Sequence, residues 1–235
     1  MTVTCIIPSR LGSSRFPGKP LYKINGKEMI LHVVDRAREC KNIDEIVVAT
    51  EDEEIYDVVT NYGCKSVITA ACPTCTHRVS DAVKLLDSKP HWIVNLQGDE
   101  PVMDPSSVDV MVSHAVTYKT KMLQAIYKVE QSDVDDVDCV KAVINNDNVI
   151  WITRTPEPEW IINRHIFGIS GLYVYDYDTI TNFRSYDLKM VEDCASLDTL
   201  GFIGKVPVTP FNIGARTHAV DRPSDIEIVK NEIRC

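Results

Sequence analysis

Positive charge is scarce in this chain, with 25 Lys and Arg against 34 Asp and Glu and a net charge of -9. An extended basic face, which nucleic acid and anionic membranes both require, is therefore not expected. Long apolar runs are missing as well: no stretch approaches the roughly 18 residues that span a bilayer as a helix. Residues 1–5 also lack the basic start and long apolar stretch of a secretion signal. A cytoplasmic location is the simplest expectation. Internal repeats, low-complexity tracts and flexible linkers are absent too, so residues 1–235 read as one domain.

Cysteine is not scarce. Its 8 copies are scattered through a chain too long to need disulfide stapling, and free thiols are expected. Cys72 and Cys75 sit close together with His77 beside them, yet no second pair matches them as zinc ligands. No thioredoxin-like strand and helix surround them either, so metal or redox chemistry is not expected there.

Short apolar strands alternate with amphipathic helices. Residues 2–8, 45–50, 65–69 and 91–96 read as strands, and 29–40, 53–62 and 78–87 as the helices between them. This is the pattern of an α/β fold with a doubly wound, mostly parallel, Rossmann-like sheet. Residues 106–118 read as a further helix, and 122–129, 140–144 and 149–154 as strands of a smaller mixed region. Strands at 168–175 and 204–209, a helix through 188–194 and a closing helix over 225–234 complete the reading.

The first strand empties into Pro8-Ser9-Arg10-Leu11-Gly12-Ser13-Ser14-Arg15-Phe16-Pro17-Gly18-Lys19. Small residues Gly12, Ser13 and Ser14 let the backbone approach phosphate oxygens, and Arg10, Arg15 and Lys19 supply charge-assisted donors. Open α/β sheets bind ligands at the carboxyl ends of their strands, where this loop falls. A cluster of cations in an acidic chain points to a triphosphate cradle. The strand at 91–96 ends at the same edge in Gln97-Gly98-Asp99-Glu100-Pro101. Asp99 is the first candidate Mg²⁺ ligand and Asp221, in the loop before the last helix, the second, because Mg²⁺ commonly takes one or two carboxylates plus substrate phosphates. Glu100 reads as a solvated neighbour. Nucleotidyl transfer needs positioning and charge neutralisation rather than a protein nucleophile, which this set can supply.

The run 6–21 with Asn25-Gly26-Lys27, the block Val47-Val48-Ala49-Thr50-Glu51-Asp52, and Val94-Asn95-Leu96-Gln97-Gly98-Asp99-Glu100-Pro101 together resemble the 3-deoxy-manno-octulosonate cytidylyltransferases, or CMP-Kdo synthetases. The resemblance spans nearly the whole chain. It implies a homodimeric, Mg²⁺-dependent enzyme that joins CMP from CTP to a small acid and releases pyrophosphate, its mixed region serving dimerisation and the acceptor. It also implies roles. Arg10, Arg15 and Lys19 match the phosphate-binding cations, Asp99 and Asp221 the Mg²⁺ ligands, and Gln97 a nucleotide contact, with Pro8 and Ser9 in the same nucleotide-binding run. Thr76 and Arg78 match part of a block beside cytidine and acceptor, and Arg154 an acceptor-side cation.

Departures fall on the acceptor side. Cys75 and His77 stand where the family has Gly and an acid, and His165 is one residue out of step with a family histidine. Where the family reads Glu-x-Leu-Glu-Gln-Leu-Arg, this chain has Glu192-Asp193-Cys194-Ala195-Ser196-Leu197-Asp198. Glu192, Ser196 and Asp198 remain the acceptor-side candidates there. Loss of matched hydrogen-bonding groups weakens discrimination for a polyhydroxylated acid. A phosphonate such as phosphonoformate is therefore an alternative acceptor to an octulosonate or its amino variant, since cationic forks at Arg78 and Arg154 suit compact anions. A non-catalytic CTP sensor and a zinc or thiol-redox protein are the other classes considered.

Overall fold

The computed structural model describes residues 1–156, 159, 165–186, 189, 191 and 197–233. Parallel pairing starts from β1 (Val3–Pro8), which is buried along its whole length because sheet neighbours flank it and helices cover both faces. It pairs in parallel with β4 (Glu45–Thr50) on one side and β6 (Trp92–Leu96) on the other. Beyond β4 lies β5 (Lys65–Ile68), also parallel. The crossovers carry α1 (Met29–Arg38), preceded by the short hairpin of β2 (Lys23–Ile24) and β3 (Lys27–Glu28), then α2 (Glu53–Asn61) and α3 (Cys75–Val83).

Past β6 the sheet becomes mixed. The order is β11-β7-β10-β6-β1-β4-β5, from α4 (Pro105–Tyr118), β7 (Met122–Tyr127), α5 (Gln131–Asp135), β8 (Lys141–Asn145), β9 (Asn148–Thr153), β10 (Ile166–Asp176), α6 (Tyr177–Thr181), β11 (Val208–Asn212) and α7 (Ile226–Ile233) in chain order. β10 runs antiparallel to β6, β7 and β8, and the β8–β9 hairpin branches from it. Both residues of that hairpin's turn, Asn146 and Asp147, have positive φ, which matches the twist of the strands it joins.

Alternating side chains of β1 feed two cores. Val3, Cys5 and Ile7 pack with α1 and α4, whereas Ile6 packs with Val79 and Ala82 of α3 and Phe183. The expected mostly parallel α/β sheet is therefore present, and the expected strands of the mixed region lie within two residues of those found.

The β2–β3 hairpin, α5 and α6 have no counterpart in the sequence reading, and α3, which ends at Val83 rather than 87, and the late strand differ in their bounds. Helix α3 begins at Cys75 rather than 78, because the Thr74 hydroxyl caps it by accepting the His77 N–H at 3.4 Å. The late strand is β11 at Val208–Asn212, not 204–209: Gly204 turns with φ +77, and Pro210 is tolerated because β11 is an edge strand. The closing helix is preceded by a 3-10 turn at Pro223–Asp225. Of the helix expected over 188–194, only Lys189 and Val191 are described, both helical.

Candidate active site

The cradle loop leaves β1 with Ser9 N–H donating to Ala49 O at 2.9 Å and Leu11 N–H to the Asp52 carboxylate at 2.8 Å. It closes where Gly18 N–H reaches Leu11 O at 3.0 Å, with Gly18 at φ +72, a conformation that favours glycine. A 3-10 turn, Lys19–Leu21, begins there with Pro20 near its start, so Lys19 stands on a fixed backbone.

Lys19 and two aspartates from distant segments meet at this edge. Lys19 Nζ bonds Asp99 Oδ2 at 2.6 Å and Val220 O at 2.7 Å, and Val220 N–H donates to Asp99 O at 2.8 Å. Arg15 bridges Asp221 at 2.7 Å and Asp138 at 2.9 Å. Asp225 accepts from the N–H groups of Asp221 and Arg222 at 2.8 and 2.7 Å, which pins the loop just before α7. Burial raises the Asp221 carboxyl above the usual carboxylate range, with the Asp99 charge adding to it. Burial works against the Lys19 charge, but Asp99 overcomes it and lifts that ammonium above its ordinary value, with help from Asp221. Two carboxylates at one sheet edge, each paired with a cradle cation, are a donor set a Mg²⁺ ion takes when phosphate oxygens complete its shell. Among the described residues no cluster of three or more His, Cys, Asp or Glu could hold a metal.

A cavity of about 540 Å³ opens over Arg15, Lys19 and Asp99, whereas Asp221 borders the smaller cavity beside it. Arg10, Arg15, Lys19, Arg78, Gln97 and Asp99 border the larger cavity, as do Pro8, Ser9, Ser13 and Ser14. Gly98 is needed at its floor, because a Cβ there would stand 2.7 Å from Pro8 O. Gly12 and Thr76 do not border it. Thr76 is buried and gives its N–H to the Asp198 carboxylate at 2.8 Å. Arg78 is buried too, its guanidinium spent on Thr69 Oγ1 at 2.5 Å and Glu51 at 3.0 Å.

A second cavity, of about 240 Å³, adjoins the first through Arg10, Thr74, Cys75, Gln97, Asp99 and Asp138. Asp198 borders it, and burial pushes its carboxyl upward. Four expectations fare differently there. Arg154 borders the larger cavity instead, its guanidinium donating to the carbonyls of Val137 and Asp138 at 3.0 and 3.1 Å. His165 is exposed before β10 and borders neither cavity. Glu192 and Ser196 lie outside the described residues.

Glu100 is corrected from solvated neighbour to buried group. It is 3% exposed, and accepts from Gly171 N–H at 2.9 Å and the Thr217 hydroxyl at 2.8 Å. Burial, reinforced by Asp99, pushes its carboxyl up to about 7. Sequence reasoning also missed Asp138, Tyr173 and Arg216. Tyr173 lies on β10 and Asp138 and Arg216 in loops, none within a motif of its own, so only the tertiary fold brings them to the site. Cys72 and Cys75 border the larger cavity, but Cys72 leans on the Asp81–Arg184 ion pair, and burial pushes the Cys75 thiol up to about 12. His77 turns instead into the core, edge-on to Phe183.

A strand-end cradle of cations facing paired carboxylates, on a mostly parallel sheet, defines a nucleotidyltransferase. A family model described as Cytidylyltransferase matches residues 4–191. The chain is 36% identical over 245 residues to the 8-amino-3,8-dideoxy-manno-octulosonate cytidylyltransferase of Shewanella halifaxensis, covering 97% of each chain. It is 36% identical over 252 residues to that of Shewanella frigidimarina, covering 100% of this chain and 98% of the relative. A solved structure of CMP:2-keto-3-deoxy-manno-octonic acid synthetase complexed with CTP superposes with a TM-score of 0.87 at 27% identity, over 100% of this chain and 99% of the other. The 4-diphosphocytidyl-2C-methyl-D-erythritol synthase of Anaerococcus prevotii, at 15% identity and a TM-score of 0.67 over 100% and 99% of the two chains, shares the fold alone. The chain belongs to the 3-deoxy-manno-octulosonate cytidylyltransferase family and is a nucleotidyltransferase enzyme. Among the described residues no helix is long and apolar enough to cross a membrane.

Proposed function

We propose that this chain transfers CMP from CTP to a sugar acid of the 3-deoxy-octulosonate class, its 8-amino variant included, and releases pyrophosphate. One observation carries the reading: Asp99 and Asp221, 122 positions apart in sequence, pair with the cradle cations Lys19 and Arg15, which border the larger cavity, and both aspartates border the smaller cavity that adjoins it. Mg²⁺ held by Asp99 and Asp221 would neutralise triphosphate charge and so ease departure of pyrophosphate. Arg10, Arg15 and Lys19 bind the phosphates; as the nucleotide enters, Arg15 and Lys19 exchange their aspartates for phosphate oxygens. An acceptor hydroxyl oxygen then forms a bond to the α-phosphorus as the bond to the bridging oxygen breaks, and the hydroxyl proton passes to solvent.

The acceptor reading is supported by the relatives' activity and by the smaller cavity. Ser170, Tyr173 and Arg216 border that cavity and can stand in for the polar partners lost from the segment 192–198, where Asp198 takes the place of the family's Arg. Arg216, whose guanidinium also pairs with Asp133, brings a cation to that cavity for the acceptor's carboxylate. A phosphonate acceptor draws no such support from hydroxyl-binding groups. Homodimerisation belongs to the same proposal through family membership.

The test is a coupled pyrophosphate assay with CTP, Mg²⁺ and a panel of octulosonate, 8-amino-octulosonate and phosphonates. Turnover is expected with the octulosonates. Turnover with phosphonates alone would replace the acceptor, and CTP binding without turnover on any acid would favour the sensor.

A further inference from the structure

Glu100 and Thr217 are joined by contacts that none of the cradle cations makes. Strand β10 shifts register against β7 between Ile169 and Tyr173, and its pairing with β6 begins only at Leu172. The irregularity leaves Gly171 at the mouth of the site, where its carbonyl accepts from Gln97 N–H and its own N–H donates to Glu100 Oε1, both at 2.9 Å. Glycine allows this close approach: a Cβ at 171 would stand 2.7 Å from that carboxylate oxygen and 2.9 Å from Gln97 Cγ, so the Glu100 carboxylate would have to shift. The other oxygen, Glu100 Oε2, accepts from the Thr217 hydroxyl at 2.8 Å, and the Thr217 and Ser170 hydroxyls lie 3.1 Å apart. Thr217 begins the stretch that ends at Asp221, and Glu100 directly follows Asp99.

We propose that Glu100 is a positioning residue: anchored by Gly171 and gripping Thr217, it fixes the Asp221 loop against Asp99 so that both carboxylates stand ready for one divalent cation. This rests on the reading of Asp99 and Asp221 as the metal pair. A buried carboxylate beside Asp99 is a poor choice unless its two acceptor oxygens are both used, and here they are. The backbone bond from Val220 to Asp99 ties the same loop and offers the rival explanation. If that bond suffices, the Thr217 hydroxyl is dispensable.

The experiment titrates Mn²⁺ into the full chain with CTP and no acceptor, read by water-proton relaxation, so no turnover is involved. Thr217→Val removes the grip and leaves Asp99, Asp221 and the Val220 bond in place; Thr217→Ser restores the hydroxyl. We expect Thr217→Val to weaken Mn²⁺ binding about tenfold, the scale on which groups supporting metal ligands act. Thr217→Ser should match the wild type, and metal-free CTP affinity should hold steady in all three. Glu100→Gln serves as a second variant, because its amide oxygen can accept from Gly171 while its NH₂ donates to Thr217; retained Mn²⁺ affinity is expected. Wild-type Mn²⁺ affinity in Thr217→Val, with Asp221→Asn impaired, overturns the positioning role. Unchanged affinity in Asp221→Asn overturns the metal pair beneath it.

Discussion

Replacing Arg78 with Met separates architecture from ligand binding at the base of α3. The Arg78 side chain is 3% exposed and its guanidinium holds both Thr69 and Glu51, whereas Glu51 is 27% exposed. Breaking a fully buried ion pair by removing one partner costs about 3–5 kcal/mol. Water reaches Glu51, and Met preserves the apolar stem, so the expected loss is about 2–3 kcal/mol. For a domain of this size that lowers Tm by roughly 4–12 °C. Urea denaturation gives the free energy directly, and the double variant Glu51→Gln/Arg78→Met should recover about 1 kcal/mol relative to additivity, because no stranded carboxylate remains. Glu51→Gln alone frees the guanidinium toward the cavity, so CTP affinity should hold or rise while stability falls. Stability of Arg78→Met within about 0.5 kcal/mol of wild type, the range of surface changes, would mean that the buried guanidinium does not support the fold.

Arg10→Ala should weaken CTP binding by about 1.5–3 kcal/mol, or roughly 10- to 150-fold by calorimetry, because charge-assisted bonds are lost; unchanged affinity would mean Arg10 faces away from phosphate. Gly168→Ala should destabilise the fold by about 1–3 kcal/mol through overpacking, since its Cβ would stand 2.2 Å from the Tyr127 ring. Gly168→Ala combined with Tyr127→Leu should regain most of that loss in the same urea titration. Cys75, with its thiol pushed up to about 12, should react with iodoacetamide at pH 8 roughly a thousandfold more slowly than a free cysteine. Rapid labelling of Cys75 in peptide mapping would contradict that burial and reopen a thiol role.

Much of the fold was legible because β1 and β6 are apolar almost throughout, as strands buried on both faces must be. That Lys19 and Asp99 belong to one site was legible for a related reason, since strand ends at one sheet edge are brought together by parallel pairing, but their ion pair was not. What escaped depended on long-range placement. Glu100 looks solvated beside an acidic neighbour, and only the glycine at 171 and the loop carrying Thr217 bury it. Arg154 has the charge of an anion-binding residue, but two carbonyls in the segment after α5 claim its guanidinium. The Thr74 cap was present in the sequence as a hydroxyl residue following Pro73, and overlooking it moved the start of α3.

Anomalous scattering from Mn²⁺ in crystals grown with CTP locates the metal itself. One ion is expected against Asp99, Asp221 and a phosphate oxygen, with Lys19 and Arg15 released from their aspartates onto the triphosphate. Mn²⁺ bound elsewhere, with the Lys19–Asp99 and Arg15–Asp221 pairs intact beside bound nucleotide, would contradict that placement.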